Sequence, residues 1–245
     1  MRYASEYLNN LLGVLREIGE KEADGIEHAA MMVADALQGG GMLYLFGTGH
    51  SHMLALEMFY RAGGPVDVCP ILEESLMLHN GARKSSDVER IEGLARVILE
   101  HTPMRSGDVL IIASNSGRNA VPVEMAMCAR EMGVGVIALT SLAHTTQVAP
   151  RNSAGVNLYQ VADVVLDNHG VLGDASLDIP GIGSPICPTS TAAGVAILQM
   201  LSAEVAGELL RRGVPPRYFV SANIDGGEEH NEQLIRDMLP RVKPL

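Results

Sequence analysis

The chain has 245 residues, 47% hydrophobic and 19% charged, with 18 Lys and Arg against 29 Asp and Glu for a net charge of -11. That length can bury a substantial core and fits one domain, while a negative balance with no basic cluster argues against nucleic acid as a partner. Three widely spaced cysteines (Cys69, Cys128, Cys187), an acidic amphipathic start and strand-sized apolar runs imply reduced thiols, no signal peptide, no membrane span and a cytoplasmic location.

In chain order, residues 2–38 read as helix in two pieces meeting near Gly19 or Gly25. Leu8, Leu11, Leu12, Leu15 and Ile18 recur at helical spacing, as do Ile26, Ala30, Val33 and Leu37. Gly39-Gly40-Gly41 ends this section. Strands are predicted at 42–46, 66–69, 108–113, 134–139 and 162–167, each short and rich in Val, Ile and Leu. Helices are predicted near 51–62, 87–99, 119–132, 189–212 and 229–239. Ser86-Asp87-Val88-Glu89 has the spacing of a capping box, and Asn119 is placed to cap the next helix. Alternation of this kind implies a parallel sheet with helices on both faces. Residues 168–188 break the rhythm with four Gly and three Pro, the composition of a lid or binding loop. The expected organisation is one domain over 1–245. It comprises a helical extension (1–40), an α/β core (41–212) and a C-terminal segment with a helix (213–245).

Two polar loops carry the chemistry. Gly47-Thr48-Gly49-His50-Ser51-His52 follows the first strand, and Ser114-Asn115-Ser116-Gly117-Arg118-Asn119 follows the third. Glycines let backbone N–H groups approach an anion, and a helix amino end adds partial positive charge. The hydroxyls of Thr48, Ser51, Ser114 and Ser116 add donors. Two such loops at the carboxyl ends of parallel strands suit a ligand with a phosphate and a polyol, a phosphorylated sugar. Gly47-x-Gly49 also begins a dinucleotide fingerprint, with Asp67 where a ribose-binding acid would stand, but His52 occupies the third glycine position. No cofactor is expected.

With both loops in place, the chain resembles the SIS (sugar isomerase) domain family over roughly residues 35–210. Gly47-Thr48-Gly49-His50-Ser51 looks like its first phosphosugar loop, and Ser114–Asn119 like its SxSGxT/N loop. Thr140 and Ser141 at the end of the fourth strand, and Ala162-Asp163 before the fifth, also fit the family pattern. The resemblance implies a three-layer αβα fold with a flavodoxin-like five-stranded parallel sheet. It also implies a phosphosugar ligand and a homodimer or homotetramer. Gly226-Gly227-Glu228-Glu229-His230-Asn231 is similar to bacterial SIS proteins labelled phosphoheptose isomerases. Those enzymes carry a His and a Glu one turn apart as metal ligands, with a further Gln and His on the last long helix. Here Glu57-Met58-Phe59-Tyr60-Arg61 lacks the first pair, and the helix with Gln199 lacks the His. No metal is therefore expected.

Moving a proton between the first two carbons of an aldose or ketose needs a base, usually Glu or His. The candidates are Glu57 on the helix after the first loop, Glu74 after the second strand, and His230 on the last helix. Isomerisation through an enediolate is the leading expectation. The alternatives are a non-catalytic phosphosugar sensor acting through a protein partner, and a phosphosugar lyase or etherase. A DNA-bound sensor is disfavoured, because residues 1–40 hold Arg2, Arg16 and Lys21 against seven acids.

Overall fold

The computed structural model describes residues 1–242 and 244–245. Strands β1 (Leu43–Gly47), β2 (Val68–Ile71), β3 (Val109–Ala113), β4 (Gly135–Thr140) and β5 (Val164–Asp167) all run parallel, in the order β2-β1-β3-β4-β5. All start within two residues of their predicted positions. Every residue of β1, β2 and β3 is buried, as their unbroken apolar runs require.

Helices cover both faces. On one lie α1 (Arg2–Lys21), α2 (Ala23–Gln38) and α3 (His52–Met58). The other elements are α4 (Ala82–Val88), α5 (Leu94–Glu100), α6 (Ala120–Glu131), the single turn α7 (Leu142–Thr145), α8 (Ser190–Arg211) and α9 (Gly227–Met238). Of these, α8 joins α1–α3 around Leu45, Ile111, Ile137 and Leu139. On the opposite face α5, α6 and α9 enclose Tyr44, Phe46, Leu110 and Ile112.

Four expectations change. First, α2 is no extension: Ile26, Ala29, Ala30, Val33 and Ala34 are buried in the sheet's own core. Only α1 is peripheral, with Ile18 its sole fully buried residue. Second, the helix expected at 87–99 is two helices. Gly93, at φ +86°, breaks it, and its N–H and that of Ala95 both donate to the Glu124 carboxylate. The capping box does not form, because Ser86 lies inside α4 and donates back to the Ala82 carbonyl. Third, the helix expected at 51–62 stops at Met58. Fourth, α8 has a mean hydropathy of 1.4 over 18 residues, longer than the strand-sized runs read from the sequence. Ala193, Ile197, Leu198 and Leu201 spend that hydrophobicity on the core.

Residues 168–188 are held rather than loose. An antiparallel bridge joins Leu177 to Ile186. From α1, Tyr7 donates to the Pro188 carbonyl and Asn10 to that of Ser176. Asp174 accepts the N–H groups of Thr189 and Ser190, capping α8 from a distance in sequence.

Candidate functional site

Chain order steps from β1 outward to β2, then back across β1 to β3. That reversal makes the β1/β3 boundary the switch point, where loops diverge and leave a crevice at the strands' carboxyl ends. Gly47 pairs in register with Ala113, so the two polar loops leave the sheet side by side.

Each loop is shaped by a close approach. A Cβ on Gly47 would lie 2.5 Å from the Ser51 carbonyl oxygen, so only glycine lets the chain turn back so tightly. Gly117 sits at φ +59°, and its N–H donates to the Ser114 hydroxyl at 3.2 Å. The His52 ring, almost fully buried, bonds the Gly49 carbonyl and packs edge-on to His79 at 5.8 Å. His52 is therefore a structural prop of the first loop.

The cleft is bounded by His50, Ser51, Ser114, Asn115, Asn168 and the first turn of α8 at Ser190 and Thr191. Its enclosed space is about 20 Å³, room for about one water, so a ligand must lie across its open mouth or widen it. The hydroxyls of Ser51 and Ser116 are partly exposed and, among the described residues, unpartnered. Asn115 is fixed by Asn168, whose amide donates to its side-chain oxygen at 2.8 Å. The larger cavity of about 890 Å³ lies at the amino-terminal edge of the sheet, beside His28, Asp35, Gly41 and Arg105, away from both loops.

Several predicted ligand contacts stand behind the cleft instead. Thr140 and Ser141 are wholly buried. Their hydroxyls donate to the carbonyls of Asn115 and Gly170, at 3.2 and 2.5 Å, so they brace the loop. Thr48 gives its proton to Glu89 at 2.8 Å, and the Asn119 amide donates to the other Glu89 oxygen at 2.7 Å. Asn119 occupies the cap position of α6 without capping it. The amino end of α6, read from sequence as an anion site, is largely used: the Val121 N–H donates to the Glu89 carbonyl, and Pro122 has no N–H. Arg118 is half-buried, and its Nε is a buried donor with no partner beside the second loop.

The predicted bases are scattered. Glu57 is engaged by Arg61 and by the Gln199 amide at 3.1 Å, on the α3–α8 seam beyond the cleft's Leu54. Glu74 is exposed in a short turn after β2 and accepts from Asn80. His230 is exposed on α9, with its ring 3.4 Å from the Tyr218 carbonyl. Tyr218 bridges Pro65, ahead of β2, so within one chain His230 lies toward the opposite end of the sheet from the cleft. His169 turns from the cleft to Glu22, 2.9 Å away, near Glu17 and Asp167. Among the described residues no group of three or more His, Cys, Asp or Glu side chains is arranged to hold a metal ion.

Sequence reasoning missed Asn168, Ser190, Thr191 and Glu89. A hydroxyl run, Thr189-Ser190-Thr191, opening a helix after a Gly/Pro-rich loop was a usable signal for two of them. Glu89 gave none, because its partners lie 41 and 30 residues away. Burial pushes its carboxyl above the ordinary 4.5, against the hydrogen bond from Thr48 and the fields of Arg90 and Arg151.

Comparison with known proteins agrees with this geometry. Residues 6–141 match the family model described as the SIS domain. The UPF0309 protein GK1441 of Geobacillus kaustophilus is 43% identical over 241 residues, spanning 98% of this chain and 96% of that one. Among solved structures, the phosphoheptose isomerase GmhA of Neisseria gonorrhoeae aligns with a TM-score of 0.52 at 18% identity, over 83% of this chain and 96% of its own. The Vibrio vulnificus NanR protein complexed with ManNAc-6P aligns with a TM-score of 0.52 at 14% identity, over 97% of this chain and 69% of its own. At these identities the structural likeness is one of fold.

Proposed function

The chain belongs to the SIS domain family, and from that membership and the geometry of its cleft we propose that it binds a phosphorylated sugar across the Gly47–Ser51 and Ser114–Asn119 loops. One observation carries the reading. Two hydroxyls without partners among the described residues, Ser51 and Ser116, sit one on each of the two loops that leave the switch point of a parallel sheet, the first loop turning too tightly for any residue but glycine at Gly47. Backbone N–H groups of both loops and the Arg118 guanidinium supply the anion's remaining partners. Asn115, fixed by Asn168, offers its amide to a sugar hydroxyl.

The chemistry proposed for the bound sugar is aldose–ketose isomerisation by proton transfer through an enediolate. GmhA, a phosphoheptose isomerase, and NanR, complexed with ManNAc-6P, share the fold, so the fold alone does not choose between turning a phosphosugar over and only binding it. Calorimetric titration with pentose, hexose, heptose and aminosugar phosphates tests binding. Proton NMR of the same mixtures in deuterated water tests turnover. Binding of one sugar with exchange at the carbon beside its carbonyl supports an isomerase. Binding without exchange supports a sensor, and no binding by any sugar overturns the reading.

A further inference from the structure

We propose that Asn168 sets the polarity of the cleft, holding the Asn115 amide so that it shows the ligand a donor and not an acceptor, a role that rests on the phosphosugar reading above. Both residues bound the cleft. Asn168 is almost fully buried and Asn115 is partly exposed. A side-chain amide can point either way round, so its direction must come from a partner that cannot.

That partner is a backbone N–H. Gly170 donates to the Asn168 side-chain oxygen at 2.9 Å, closing a turn two residues on. A peptide N–H only donates, so the atom facing it must be the oxygen. The Asn168 nitrogen then faces Asn115 and donates to its side-chain oxygen at 2.8 Å. An amide nitrogen also only donates, so Asn115 must turn its oxygen there. What Asn115 has left is its NH2. Among the described residues that nitrogen has no partner and is not sealed from solvent, which leaves it to the cleft.

The relay is anchored at each step. The Asn168 N–H donates to the Thr140 carbonyl at 2.9 Å, and the Asn115 carbonyl accepts from the Thr140 hydroxyl and the Ser141 N–H. Both asparagines therefore hang from the end of β4. Gly170 is held in turn, its carbonyl accepting from the Ser141 hydroxyl. A Cβ there would lie 2.9 Å from the Asn168 oxygen, so glycine is what lets the asparagine fold back onto its own chain. His169, between them, stands at φ +51° with its ring tied to Glu22. The wall that Asn115 gives the cleft is thus a donor. It suits a ligand oxygen that brings a lone pair. It leaves unpaired a group that brings only hydrogens, such as an ammonium.

The test reverses the relay. Asn168→Asp keeps an acceptor for Gly170 but sets a second one against Asn115, whose amide must turn and show its oxygen to the ligand. Asn168→Ala and Gly170→Ala only release Asn115, the latter by crowding the Asn168 oxygen from outside the cleft. Gly170 is not in the left-handed region, so alanine suits its backbone. Binding of pentose, hexose, heptose and aminosugar phosphates is measured by calorimetry, and folding by thermal unfolding. Asn168→Asp should weaken the tightest-bound sugar phosphate roughly 10–100-fold. The two alanine variants should weaken it only about threefold. A residue that merely held the loops together would give the opposite order, because Asn168→Ala leaves the Gly170 N–H without an acceptor. In an Asn115→Ala background no amide remains to turn, so the Asn168→Asp loss should shrink roughly fivefold or more. What persists there is repulsion between the new carboxylate and the anionic ligand. An Asn168→Asp loss no larger than that of Asn168→Ala, or one undiminished without Asn115, overturns the proposal and leaves the phosphosugar reading standing. Should Asn168→Asp fail to fold, Gly170→Ala decides: a loss seen only when Asn115 is present supports the relay, and any other result overturns it. A wild-type protein that binds no phosphosugar overturns that reading, and this one with it.

Discussion

Ser116 and Glu89 stand for two kinds of residue beside the polar loops, one with an unpartnered hydroxyl and one already held by Thr48 and Asn119. Ser116 has no partner to lose, so Ser116→Ala removes only what it gives the ligand. The expected cost is a hydrogen bond to a charged group, roughly 1.5–3 kcal/mol in phosphosugar affinity by calorimetry. Its unfolding temperature should stay unchanged. Glu89 makes a prediction about stability. Burial raises its pKa above the ordinary 4.5, so the folded chain holds that proton more tightly than the unfolded chain. Its favourable contribution is complete below about pH 4.5 and is lost as pH rises through the folded value. At pH 7 the buried carboxylate is a net cost, so Glu89→Gln should unfold at or above the wild-type temperature. That advantage should fade below pH 4.5 in the same thermal series. A variant less stable than wild type at pH 7 would mean that the carboxylate stabilises the fold in its ionised form.

At the scale of elements, what could be read from sequence follows from how local each cause is. The five strands and both ligand loops were readable because their signals are contiguous: an apolar run, then Gly, Ser and Asn. The break between α4 and α5 was not, because the Glu124 carboxylate that organises it comes from α6. Ser86-x-x-Glu89 has capping-box spacing, yet tertiary structure takes Glu89 for Thr48 and Asn119. The bases Glu57, Glu74 and His230 were chosen by proximity in sequence to loops and strand ends, which does not report which way a helix face points. The 168–188 segment was readable as irregular but not as anchored. Its anchor gives a prediction of its own. Asp174 caps α8 across 15 and 16 residues of chain, so Asp174→Ala should cost about 1 kcal/mol, like loss of an N-cap. It should also quicken proteolysis within 170–187 relative to the rest of the chain. Equal cleavage rates in variant and wild type would show that Tyr7 and Asn10 suffice to hold the segment.

For the whole molecule, the question is what covers α1. The sequence reads 1–40 as one helical extension, and the family resemblance implies an oligomer. The structure narrows that extension, since α2 is core and its removal would open the sheet's face. Deleting residues 1–38 therefore tests folding and says little about assembly. On α1, Val14, Leu15 and Ile18 turn inward, whereas Leu8 and Leu12 remain 53% and 38% exposed among Arg2, Ser5, Asn9, Arg16 and Glu17 on its outer side. Two leucines one turn apart on a helix form a short apolar ridge. A second copy of the chain, related by a twofold axis, would bury that ridge against its equal. We expect light scattering to report at least a dimer at micromolar concentration. Leu8→Glu combined with Leu12→Glu should shift it toward monomer while leaving the circular dichroism spectrum unchanged, because neither side chain belongs to the core. A wild-type protein that is monomeric at that concentration would remove the expectation. A double variant that stays dimeric would move the interface off α1.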